Sequence, residues 1–156
     1  MFSKQTQQRL ILFIGTGGWT GYMPWAPGTW GSLVGVGIAI LMSPLPLWGW
    51  ILTVAILAVI GVRVSGASCR ILKKADSPKV VFDEIVGFLL TMIGIPITGY
   101  WLVWGFIFFR FFDIAKLPPA NAFDSRWKNG WGVVLDDIVA GIYGNILLHL
   151  MLRAKL

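Results

Sequence analysis

Charge is scarce in this sequence, and histidine and cysteine are almost missing. Only 13% of the 156 residues are charged, and there is one cysteine, Cys69, and one histidine, His149. A single cysteine excludes an internal disulfide. With one residue of each kind, too few nitrogen and sulfur ligands remain for a zinc site. The charges are also unevenly spread: none falls between Arg9 and Arg63, and none between Glu84 and Arg110. Uncharged stretches of that length exclude an ordinary soluble domain, in which about a quarter of residues are charged. The basic-then-apolar stretch from Arg9 to Ile14 is broken early by Gly17-Gly18 and has no small-residue cleavage site. It does not read as a cleaved signal peptide.

Apolar side chains are abundant instead. The chain is 56% hydrophobic, with a mean hydropathy of +0.75. A membrane therefore has to act as part of its solvent. The net charge of +6 is then best read as basic loops facing the cytoplasm and anionic lipid heads, with no nucleic-acid partner. The length suits one domain, so residues 1–156 are expected to form a single membrane-embedded unit. The expected fold class is all-α: a polytopic integral membrane helical bundle with several short or broken helices.

Two proline breaks divide the uncharged stretches, Ser43-Pro44-Leu45-Pro46 and Gly94-Ile95-Pro96-Ile97-Thr98-Gly99. Proline lacks a backbone donor and fixes φ, so helices should end there. The pattern predicts helices over about residues 31–42, 47–67, 82–93, 100–116 and 132–152. The first and third are shorter than the roughly 20 residues of a full span. Residues 10–28, glycine-rich with prolines at 24 and 27, are expected to be re-entrant or interfacial.

If both proline breaks are hairpin turns, they lie on one side and carry no charge. Arg63, Arg70, Lys73, Lys74 and Lys79 then share the other side with Lys4, Arg9, Arg110, Lys116, Arg126 and Lys128. The positive-inside rule puts that side in the cytoplasm. Trp48, Trp50, Trp101 and Trp104 flank the uncharged turns, as an aromatic belt at the far interface would. Arg153 and Lys155, beyond the last helix, run against this rule over a short tail.

Of the seven acidic residues, Asp83, Glu84, Asp113, Asp124, Asp136 and Asp137 sit at or near predicted helix ends. In the hairpin topology these six share one level. Like charges brought together need a cation to neutralise them, and oxygen ligands select Mg²⁺, Ca²⁺ or Mn²⁺. Each acid has an ordinary alternative. Asp113 can pair with Arg110 or Lys116 three residues away, Glu84 can favour a helix amino terminus, and Asp124 can cap a turn. The adjacent pair Asp136-Asp137 is harder to explain singly, because neighbours on a helix diverge by about 100°. The small residues Ala140, Gly141 and Gly144 would let a second helix approach the pair.

Four blocks in order resemble the phosphatidylglycerophosphatase A family. They are Pro27-Gly28-Thr29-Trp30-Gly31-Ser32-Leu33, Val81-Phe82-Asp83-Glu84-Ile85-Val86-Gly87, the segment from Phe109 to Lys116 with Pro118-Pro119 and Asp124 after it, and the run from Gly132 to Gly141. The resemblance spans roughly residues 10–150. It departs from the family pattern at Leu117 and at Asn129-Gly130 without removing an acidic residue. It implies a Mg²⁺-dependent phosphomonoesterase of the bacterial inner membrane, with its site facing the cytoplasm. The implied substrate is the phospholipid phosphatidylglycerophosphate. The implied catalytic residues are Asp83, Glu84, Asp113, Lys116, Asp136 and Asp137, with Asp124 joining five of these acids as a metal ligand.

On the chemistry of the residues, Arg110, Lys116 and Arg126 are candidates to stabilise phosphoryl oxygens. Backbone N–H groups of Gly28–Ser32, with Thr29 and Ser32, could face phosphate, or Thr29 could simply cap a helix. Water attack and an aspartyl-phosphate route both remain open. Cys69 and His149 are expected to be a packing residue and an interfacial residue. The main alternative is a divalent-cation membrane transporter, since intramembrane carboxylates also mark ion pathways. A head-group phosphotransferase and a scaffold subunit without chemistry are further alternatives.

Overall fold

A computed structural model describes residues 3–75, 77–118 and 130–154, which are all-helical with no strand among them. The α-helices are α1 (Lys4–Gly15), α2 (Pro27–Met42), α3 (Leu47–Ile71), α4 (Phe82–Thr91), α5 (Gly99–Ala115) and α6 (Gly130–Ala154), with a 3₁₀ turn at Thr20–Tyr22.

Local chemistry sets the boundaries. Ser3 caps α1 by accepting the Thr6 N–H at 3.2 Å. Pro27 opens α2, where its missing N–H costs nothing, so this helix begins four residues before the predicted 31. Pro46 precedes α3 in extended conformation. Gly94 turns the chain after α4 at φ +73. Within residues 10–28, residues 10–15 belong to a regular helix that the sequence pattern does not predict. Its first half, Lys-Gln-Thr-Gln-Gln-Arg, is too polar to show an apolar period.

α4 is the centre. Eight of its ten residues are buried, including Asp83, Phe88 and Leu89. It runs antiparallel to α3, with Phe82 against Gly61 and Leu89 against Trp50. It runs parallel to α6, with Gly87 against Gly141 and Thr91 against Gly144. A Cβ at Gly141 would lie 2.5 Å from Gly87 O, and one at Gly87 would lie 2.7 Å from Asp137 O. Only glycine permits that approach. α5 returns along α6, with Gly105 near Leu148 and Phe109 near Gly144.

A short buried helix leaves its last carbonyls without intrahelical partners. Side chains supply the donors. Trp50 Nε1 donates to Leu89 O at 3.1 Å. Asn145 Nδ2 donates to Thr91 O at 2.9 Å and to Ile93 O at 2.8 Å. His149 Nε2 lies 3.1 Å from Ile93 O, and a carbonyl only accepts, so this nitrogen donates. His149 thus has a structural partner that the interfacial reading did not foresee.

The two proline turns meet at one end. Ser43 and Leu45 of the first and Gly94 through Ile97 of the second line one cavity with Trp50 and Met92. α2, α4 and α6 start at the other end, and α3 and α5 finish there. Outward faces are strongly apolar: Leu41 is 80% exposed, Leu52 53%, Val103 57% and Ile114 72%. α3 and α6 are each 25 residues and apolar enough to cross a membrane.

Candidate functional site

The end at which α2, α4 and α6 begin carries the acidic residues. Asp83 and Glu84 occupy the first turn of α4, where the helix dipole favours negative charge. Asp136 and Asp137 lie on α6 about 10 Å along the axis from Gly130. Both are buried. α6 can bury two neighbours because α4 crosses it at the Gly87–Gly141 contact and α5 covers the adjoining face.

Oxygens of Asp83, Glu84 and Asp137 come within 4.8 Å of one another. Asp83 Oδ1, Glu84 Oε2 and Asp137 Oδ1 are buried without a hydrogen-bond partner. Burying unpaired carboxylate oxygens side by side is costly. One bound cation would offset that cost, so this donor set fits a metal ion, and its all-oxygen chemistry suits hard ions.

Two further carboxylates border the trio, each held by a base. Arg110 Nη1 donates to Asp113 Oδ2. Lys116 Nζ donates to Asp136 Oδ2 at 3.0 Å. Asp136 Oδ1 also accepts the Asp137 N–H at 3.1 Å. Asp113 lies close enough to Glu84 and Asp137 to repel both, and Asp136 close enough to repel Asp83. Lys116 ends α5 in left-handed conformation, φ +44, a place that favours glycine. An unfavourable backbone that carries a charged side chain beside a buried acid points to a role for that side chain.

The first turn of α2 closes the site from a third direction. A Cβ on Gly28 would overlap the Glu84 carboxylate and the Arg110 guanidinium. Ala26, at φ 45, precedes this turn as its N-cap without a side-chain bond, so Thr29 is not the cap. The Thr29 N–H donates to Ala26 O at 2.9 Å. The Ser32 hydroxyl donates to Gly28 O at 2.9 Å. Both donors serve the turn itself.

Asp83, Glu84, Asp113, Lys116, Arg110, Asp136 and Asp137 are therefore neighbours across three helices, with Gly28 of a fourth against them. Asp124 and Arg126 lie outside the described residues. Sequence reasoning had Gly28 facing phosphate rather than lying against Glu84 and Arg110, gave His149 only an interfacial role, and missed Asn145. The last two had a signal: polar residues at i and i+4 share one face of an otherwise apolar helix.

Fold and site define a helical protein with a buried carboxylate centre ready for a cation and edged by basic side chains. The chain belongs to the phosphatidylglycerophosphatase A family, whose profile matches residues 13–152, and by that membership it is a phosphatase. A protein named phosphatidylglycerophosphatase A from Haemophilus influenzae is 34% identical over 140 residues, covering 88% of this chain and 85% of the relative. Its Escherichia coli K12 namesake is 33% identical over 140 residues, covering 89% and 80%. A protein named putative phosphatidylinositol-3-phosphatase from Bacteroides thetaiotaomicron is 35% identical over 146 residues, covering 89% and 91%. No solved structure matches the chain.

Proposed function

We propose that this protein is a Mg²⁺-dependent lipid phosphatase of the bacterial inner membrane, built as one membrane-embedded domain. It hydrolyses phosphatidylglycerophosphate to phosphatidylglycerol and inorganic phosphate at a carboxylate site facing the cytoplasm. The observation that carries the reading is the trio of buried, unpartnered oxygens on Asp83, Glu84 and Asp137.

Those three residues hold the ion, with Asp113, Asp124 and Asp136 available to complete the set. A bound Mg²⁺ supplies charge neutralisation for the phosphate and makes water a better nucleophile. A carboxylate of the cluster orients the water and takes its proton. The water oxygen bonds to phosphorus as the bond from phosphorus to the glycerol oxygen breaks, and that oxygen collects a proton. Arg110, Lys116 and Arg126 place positive charge on the phosphoryl oxygens, while Thr29 and Ser32 keep the α2 turn in place against the site. The acids gather at one end of the helices rather than halfway along, which favours surface chemistry over a carrier pathway. Basic residues crowd the same end, which favours a cytoplasmic orientation.

Phosphate release from the purified protein in mixed micelles tests this. Release should require Mg²⁺, stop with a chelator, and fall to background in Asp83→Asn. Phosphatidylglycerophosphate should be preferred over phosphatidylinositol 3-phosphate. Release that persists in Asp83→Asn or in chelator would refute the metal site. Mg²⁺ uptake into proteoliposomes with no phosphate release would favour the carrier.

A further inference from the structure

We propose that the cavity between the carboxyl end of α3 and the amino end of α6 is a second anion site, taking a phosphate-bearing group apart from the acidic centre. The cavity measures about 420 Å³ and is lined by Arg70, Lys73 and Lys74 on one side and Gly130 on the other. Small residues make the space: Gly66 faces Gly130, and a Cβ on Gly130 would meet Val62 O and the Gly66 backbone.

Among the described residues, no carboxylate pairs with Arg70, Lys73 or Lys74. Cations near a helix carboxyl end are ordinarily explained by its dipole. That explanation covers Arg70, in the last turn of α3, but does not cover the other two. Lys73 lies beyond the helix at φ 54, a backbone state that favours glycine. This turn bends the chain back so that the Lys74 N–H donates to Cys69 O at 3.1 Å. The bend holds three positive side chains around one concave space. All three are exposed, so water screens their mutual repulsion, and an anion lying among them would relieve what is left.

Among the described residues, the cavity is separate from the acidic centre. Asp137 is about 10 Å further along α6 than Gly130. An apolar layer intervenes, with Phe82 and Val134 against Gly61. The site stands at the same end of the helices as the acids, at the level where lipid phosphates would lie. Its chemistry suits either an anionic phospholipid head group or free phosphate, and it does not depend on the phosphatase reading.

Binding to the full-length protein, in zwitterionic micelles with a chelator present, tests the proposal. The probes are short-chain phosphatidylserine and inorganic phosphate, followed by titration calorimetry. A saturable signal for phosphatidylserine, weakened about tenfold in Lys73→Gln/Lys74→Gln and unchanged in Arg9→Gln/Lys79→Gln, assigns a lipid head group. The same pattern with phosphate alone assigns the free anion. Equal loss in both double variants means diffuse charge attraction and overturns the proposal, as does the absence of saturable binding. Both variants change exposed residues, and matching melting midpoints will show that they fold. Phosphate release by Lys73→Gln/Lys74→Gln should equal that of the parent, which separates this site from the acidic centre.

Discussion

Asp137 has a buried carboxylate oxygen with no donor and four acidic neighbours, Asp83, Glu84, Asp113 and Asp136. Without a cation, such a residue destabilises the fold that contains it. Asp137→Asn should therefore melt higher than the parent in chelator and lose the parent's rise with Mg²⁺. At an ion concentration a hundred times its dissociation constant, that rise corresponds to about 2.7 kcal/mol. Differential scanning calorimetry with and without Mg²⁺ measures both effects, and an unchanged Mg²⁺ response in Asp137→Asn would remove this residue from the ion's ligands. Gly28→Ala presents a different case. Its new methyl would overlap Glu84 and Arg110, so turnover should drop at least tenfold while the helices still form. The acids were legible in the sequence because charge is so rare there that each one stands out. Gly28 was not legible as a contact, since nothing in a glycine's own neighbourhood says which distant side chain lies over it.

At the scale of elements, the α4–α6 pair fixes where the carboxylates meet. Gly141→Ala would push a methyl into the Gly87 carbonyl, a backbone group that cannot swing aside. Overpacking of this kind costs about 1–3 kcal/mol, and the displaced α4 should carry Asp83 and Glu84 away from Asp137. Chemical denaturation and phosphate release should both decline in that variant. Asn145→Leu removes this donor from the buried Thr91 carbonyl, a loss of about 1–3 kcal/mol, while Ile93 O keeps the His149 nitrogen. The small residues after Asp137 signalled a close helix approach from sequence alone, but not which helix would come. The carbonyl donors were hidden for a related reason: the need for them arises only because α4 stops after ten residues, and the sequence pattern had extended it to residue 93.

Across the whole molecule, the charge-free turns and the charged end lie at opposite poles, as the spacing of basic residues had suggested. A sidedness follows that labelling can check. In a Cys69→Ser background, cysteine at Ser43 or Thr98 should react with an impermeant reagent from one side of a sealed vesicle, and cysteine at Lys79 from the other. Labelling of Ser43→Cys and Lys79→Cys from the same side would contradict the proposed placement of the bundle across a bilayer. The amphipathic start of α1 escaped the sequence reading because its polar turn resembles a loop until its apolar end is seen against Ser68 of α3. The donors that Asn145 and His149 bring to the end of α4 also bear on how the protein is made. They sit on α6, more than fifty residues after α4 along the chain, so the carbonyls at the end of α4 cannot meet those donors until residues 145–149 have been made. A nascent chain cut short before residue 145 should therefore remain without a working centre however well its earlier helices form.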